Sequence, residues 1–229
     1  MWTLQALVQC RIAALALLAV FMASQASAEI CVYMDLRFGK REQPPALIES
    51  MTQEAASIWE PYGVRFEWRA AQSPSRCSCT QASFTVLLDH QHPRSSGFSL
   101  PTTLGSTRLV PRAIEQAPIY IDREATEELL GSLGVGQLAP LLGRSSVGPA
   151  DVGRALGRIL AHEVGHVLLA DRDHQPRGLM RKGFGAGDLL TPERGAYGLL
   201  PADVARLGQR EQTLNAMMNS RATSVQIRR

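Results

Sequence analysis

Lysine is almost missing from this chain: among 24 basic residues only Lys40 and Lys182 are lysines, and the rest are arginines. Charge of one sign is missing too, because 21 acidic residues leave a formal net charge of only +3, too even a balance for a nucleic-acid or anionic-lipid footprint. Long apolar runs are scarce. The one that stands out, Ile12–Met22, is too short and too poorly flanked to span a bilayer. No cysteine follows a lipobox-like sequence, which argues against lipid attachment. No internal repeat or low-complexity segment occurs, which excludes a solenoid or a linker-dominated chain. The cysteines are few, Cys10, Cys31, Cys77 and Cys79. With no second C-x-C pair and no histidine beside Cys77-x-Cys79, a soft-metal cluster is a poor account of them.

The N-terminus is informative. Met1–Arg11 carries one positive charge, Ile12–Met22 is apolar, and Ala26-Ser27-Ala28 has the small-x-small form that signal peptidase accepts. Residues 1–28 are therefore expected to be a signal peptide, with an uncleaved anchor helix as the alternative, and Glu29 to begin the mature chain. Residues 29–229 have the length of one domain able to bury a real core. An exported chain is secreted or periplasmic, where thiols oxidise, so a disulfide between Cys31 and either Cys77 or Cys79 is expected, leaving one thiol over.

Alternating apolar and polar residues mark Glu29–Phe38 as an opening strand. Helical spacing of Leu47, Ile48, Met51, Ala55, Ile58 and Trp59 marks Ala46–Trp59 as a helix, closed by Pro61-Tyr62-Gly63. Strands are expected at Val64–Ala70, Ser83–Asp89 and Ala117–Asp122, and a poorly marked one around Thr107–Val110. Arg123–Leu130 reads as a short helix and Gly131–Gly148 as a glycine-punctuated connection. A helix from about Ala150 to Ala170 is followed by a loop through Gly183–Gly187. A last helix begins near Pro201, with Val204, Leu207 and Leu214 as its core candidates.

The chemistry sits in His162-Glu163-Val164-Gly165-His166, an H-E-x-x-H pattern on the helix. Histidines four apart stand one turn above each other on one face, so both imidazoles reach one ion at about 2.0–2.1 Å. Glu163, one residue round, faces the same place without having to ligate, which suits a general base. Ala155, Leu156, Ile159 and Leu160 form the stripe that buries the helix. A catalytic zinc takes three protein ligands and leaves one position open. Downstream candidates are His174, Asp173 and Asp171. A continuing helix would carry His174 about 12 Å too far along the axis, so the chain must turn back, and histidine is the better zinc ligand.

This string, with His174 and then Gly178-Leu179-Met180-Arg181, resembles the zinc-site segment of metzincin-type peptidases, and is most similar to small exported bacterial members with a longer spacer before the third histidine. The likeness runs weakly from Ile119-Tyr120-Ile121-Asp122 to the last helix. It departs at Leu169 and Arg172, where the usual spacing has glycine and the third ligand. The resemblance implies an α+β zincin fold, a mixed twisted sheet packed on the active-site helix with a C-terminal helix. It also implies Zn2+ held by His162, His166 and His174, Met180 as an apolar floor, and a peptide or protein substrate pairing with an edge strand, for which Thr107–Val110 is the candidate.

In that reaction zinc acidifies its water and polarises a carbonyl, while Glu163 moves the proton to the leaving amine. Two other functions remain open: a non-catalytic zinc-stabilised binding module, and an amidase acting on cell-wall peptides. His90 and His92 read as solvated histidines at a strand end, although H-x-H on a strand would suit a second metal. Asp122 reads as a helix N-cap, with support of a ligand from behind as the alternative.

Overall fold

In the computed structural model, residues 30–69, 80–89, 103–107 and 118–226 are described. Cys77, Cys79, His90, His92 and the signal segment lie outside them, as do residues 108–110 of the expected edge strand.

The chain opens with β1 (Ile30–Phe38), α1 (Pro45–Trp59), β2 (Val64–Arg69) and β3 (Thr80–Leu88). The short β4 (Gly105–Thr107) and β5 (Pro118–Ile121) follow. Then come α2 (Arg123–Gly131), α3 (Val135–Leu142), α4 (Pro149–Leu168), α5 (Ala186–Leu190) and α6 (Pro201–Gln226). The five strands form one sheet in the order β2-β1-β3-β5-β4. All neighbours are parallel except β4, which runs antiparallel to β5, with Gly105 opposite Ile121 and Thr107 opposite Ile119. The fold is thus mixed, an α+β arrangement with a single antiparallel strand at one edge.

Alternation explains the strands. Val32 and Met34 of β1, Val64 and Phe66 of β2, Phe84, Val86 and Leu88 of β3, and Ile119 and Ile121 of β5 are all buried. Helices α1 and α4 pack against one another beneath this surface. Gly153 and Gly157 of α4 permit the contact: a Cβ on Gly157 would lie 2.6 Å from the Met51 carbonyl oxygen, and one on Gly153 would collide with the Leu47 carbonyl. Trp59 Nε1 donates to the Ala161 carbonyl (3.1 Å), tying the end of α1 to the middle of α4. Ala155, Leu156, Ile159 and Leu160 are buried as their spacing predicts.

Three expectations are corrected. Residues 131–148 are not a plain connection, because Val135–Leu142 folds into a helix that tolerates Pro140 and closes on left-handed Gly143. Similarly, part of the expected 183–187 loop is the start of α5. Val204 is 43 % exposed, whereas Leu207 and Leu214 are buried, so the inner face of α6 omits its first apolar residue. Asp122 is the N-cap of α2, its Oδ1 accepting from the Ala125 N–H at 2.9 Å.

Candidate metal centre

Helix α4 starts at Gly148, whose N–H is accepted by Asp151 Oδ2, with Pro149 in the first turn. It is buried along nearly its whole length, so its last turns carry His162, Glu163 and His166 into the interior. How it stops decides the site. Ala170 has φ of 51°, its N–H donates to Val167 O (3.2 Å), and the Asp171 N–H donates to His166 O (3.2 Å). This is a Schellman ending with alanine in the position that glycine normally takes. The spacing carries this helix to about Ala170; it ends at Leu168, the reversal falls at Ala170, and Asp171 stabilises the turn that follows.

That turn brings His174 back over the helix. Its ring lies parallel to that of His162 (centroids 5.3 Å, 11°) and nearly perpendicular to that of His166 (4.9 Å, 85°). One ligand atom from each of the three histidines lies within 4.8 Å of the others, and among the described residues they form the one such group of histidine, cysteine or acidic side chains. Neither Asp171 nor Asp173 joins it. Asp171 is engaged otherwise: one carboxylate oxygen accepts from the Asp173 N–H (2.9 Å) and the other from Arg206.

The hydrogen bonds fix the tautomers. His162 Nδ1 lies 2.8 Å from Leu179 O, and His166 Nδ1 lies 2.7 Å from Asp171 O. A carbonyl only accepts, so both Nδ1 atoms carry the proton and both Nε2 atoms present lone pairs. These face each other at 3.1 Å. Two acceptors at that separation repel unless a cation lies between them. A proton is disfavoured there, since burial pushes His162 down to about 4 and lowers His166 as well. A tetrahedral zinc at 2.0–2.1 Å from its ligands sets them about 3.3 Å apart. The three-histidine donor set and the separation of its first two donors therefore fit zinc, with His162, His166 and His174 as the residues that would hold it.

Glu163 is buried beside them, and desolvation alone pushes its carboxyl up to about 8. The antiparallel edge strand β4 passes directly over it. A Cβ on Gly105 would lie 3.1 Å from Glu163 Oε1 and 2.7 Å from Ile159 Cγ2, so only glycine lets the strand approach this closely. This strand overlaps the expected Thr107–Val110 segment at Thr107 alone and begins two residues before it, the rest of that segment lying outside the described residues.

Below the histidines, Met180 is buried with its sulfur against Gly165, where any Cβ would displace it. Gly178 (φ 81°) shapes the preceding turn, and its missing side chain admits the Gly198 carbonyl. Phe184 meets His162 edge-on (5.4 Å) and stacks on Tyr197 (5.4 Å), with the Arg181 guanidinium 4.5 Å from the Phe184 ring centroid. Arg158, one turn before His162, is wholly buried. It donates to Glu54 Oε1 (2.8 Å) and Asp188 O (2.7 Å) and covers the Tyr197 ring at 4.5 Å. It thereby ties α1, α4 and the segment after the Met180 turn together. Sequence reasoning missed Arg158, Glu54, Phe184 and Tyr197. The available signal was an arginine inside an apolar stripe, four residues before a candidate ligand.

No family model and no curated protein matches the chain. Among solved structures it is similar to archaemetzincin (amzA) from Methanopyrus kandleri, over 82 % of this chain and 98 % of that one, at 12 % identity and a TM-score of 0.46. Overlap at that level carries neither the fold nor the chemistry, which rest on the geometry described above.

Proposed function

We propose that this chain is an exported zinc-dependent hydrolase of zincin type, acting on peptides or proteins. The observation that carries the reading is the pair of Nε2 lone pairs facing each other at 3.1 Å, with His174 beside them and a buried acid alongside. When bound, zinc supplies Lewis acidity that acidifies a water and polarises an amide carbonyl. Glu163 takes the proton of the attacking water on a carboxylate oxygen and gives it to the leaving amine. Leu179 and Asp171, through their carbonyls, hold His162 and His166 in the ligating tautomer. Among the described residues β4 is the last strand of the sheet, the place where this reading puts an extended peptide, and Gly105 sets how close β4 itself comes to Glu163.

Glu163 also argues against a zinc-stabilised module without chemistry. A structural site has no use for an acid buried at this cost and normally closes with a fourth protein ligand. Export through residues 1–28 belongs to the same reading, as does a disulfide from Cys31 to Cys77 or Cys79. Cys31 is level with Thr80 in the β1–β3 ladder, and Thr80 follows Cys79 in the chain.

The test uses residues 29–229, purified with their metal. Wild type and Glu163→Gln should each hold one zinc, His174→Ala should lose most of it, and only wild type should cleave casein. Full activity in Glu163→Gln would remove its role as base. Zinc binding with release of peptidoglycan fragments in place of casein cleavage would make the protein a cell-wall amidase, and zinc with no turnover of either would make it a binding module.

A further inference from the structure

We propose that Arg206, on α6, is a positioning residue for the metal centre, acting through Asp171 to hold the turn that delivers His174. The proposal rests on the zinc reading above. The segment between the second and third ligands, residues 167–173, contains a non-glycine residue in the left-handed region, Ala170, and ends at an exposed histidine. Asp171 braces this turn with every acceptor it has. Its carbonyl accepts from His166 Nδ1, one carboxylate oxygen accepts from the Asp173 N–H immediately before His174, and the other accepts from Arg206 Nη1.

Only the last of these contacts reaches an element other than α4 and the turn itself. The same Arg206 Nη1 lies 3.8 Å from Oδ1 of Asp203, a buried carboxylate in the first turn of α6, so one guanidinium joins two acids, one on the last helix and one on the ligand-bearing turn. The Arg206 and Asp171 side chains are 44 % and 20 % exposed, and an ion pair so open to water adds little to global stability. Its effect is geometric. With Arg206 removed, Asp171 is free to rotate, the Asp173 N–H loses its acceptor, and both the His166 tautomer lock and the approach of His174 slacken together. Partners standing behind metal ligands characteristically change metal affinity by about 10- to 100-fold.

The experiment measures zinc affinity of the mature chain by competition with a chromophoric chelator, and records the visible spectrum of the cobalt-substituted form. Arg206→Ala should bind zinc about tenfold more weakly and alter the cobalt bands, with its zinc-free melting curve unchanged. Arg206→Lys, which keeps a charge but not the fork, should fall between Arg206→Ala and wild type. Adding Asp171→Asn to Arg206→Ala should produce no further loss, because both act through one contact. Arg37→Ala, which breaks the exposed pair with Asp35 on β1, should leave both readings at wild type. Wild-type affinity and spectrum in Arg206→Ala overturn the proposal, as does a lowered melt with unchanged affinity, which would make the pair merely structural. If wild type itself binds no zinc, the metal-centre reading falls and this one with it.

Discussion

Replacing Glu163 by glutamine separates the cost of the buried acid from its use. In the fold its carboxyl is raised from 4.5 to about 8 because burial strips water from the charged form. An acid raised in this way favours folding while it is protonated. The contribution is complete below about pH 4.5, where the unfolded chain is also protonated, and is lost as pH rises towards and through 8. Glutamine has the same shape and never ionises. At ~1.4 kcal/mol per decade separating the two ionisations, zinc-free wild type should lose about 4 kcal/mol relative to Glu163→Gln between pH 5 and pH 9. His162 titrates with the opposite sign: lowered to about 4, its contribution is present above 6.5 and lost as pH falls through 4. It is common to both proteins and cancels in the comparison. The assay is urea denaturation of both chelator-stripped proteins at the two pH values. A difference that stays constant with pH would show that Glu163 is not desolvated, and would remove the argument that the fold tolerates it for chemistry. Loaded with zinc, the gap should narrow, since a neighbouring dication favours the carboxylate.

Two further substitutions probe how the site is built. Ala170→Gly relieves the left-handed strain at the end of α4 and should raise stability by about 1 kcal/mol with zinc affinity unchanged, read from denaturant midpoints; a loss of stability would place the strain elsewhere. Gly105→Ala puts a methyl group into Ile159 and against Glu163, and should leave zinc bound while lowering peptide turnover about 10- to 100-fold. Unchanged turnover would detach β4 from the reaction.

What was legible in the sequence follows from periodicity and residue type. The first strand and helix α1 carry apolar spacing that their burial follows from Val32 to Met34 and from Leu47 to Trp59, whereas α4 is buried well beyond its apolar stripe. Histidine and glutamate at H-E-x-x-H spacing identify themselves, because few other residues do that chemistry. The misses have a different cause. Val135–Leu142 is flanked by glycines and contains Pro140, so its local sequence speaks for a connection, and packing of Leu138 overrides it. Ala170 is a strong helix former that ends a helix, since the reversal is set by where His174 and Asp171 find partners. Arg158 and Glu54 are charged residues that sequence rules assign to the surface, yet each satisfies the other's charge in the interior, an arrangement that depends on two residues 104 positions apart in the chain.

The deepest part of the site was illegible for a more general reason. The atoms that orient His162 and His166 are main-chain carbonyls, those of Leu179 and Asp171. Every residue has a carbonyl, so no residue type at those positions announces the task, and no spacing rule marks it. What determines those carbonyls is the path of the backbone: the Schellman reversal at Ala170, left-handed Gly178, and the Leu179 N–H held by Gly198 O at 3.0 Å. Substitutions at Leu179 or Asp171 that keep this path therefore keep the tautomers, whereas changes at Gly178, which touch no ligand, should disturb them. The sensitivity of a metal site of this kind lies in the residues that shape the backbone as much as in those that face the ion.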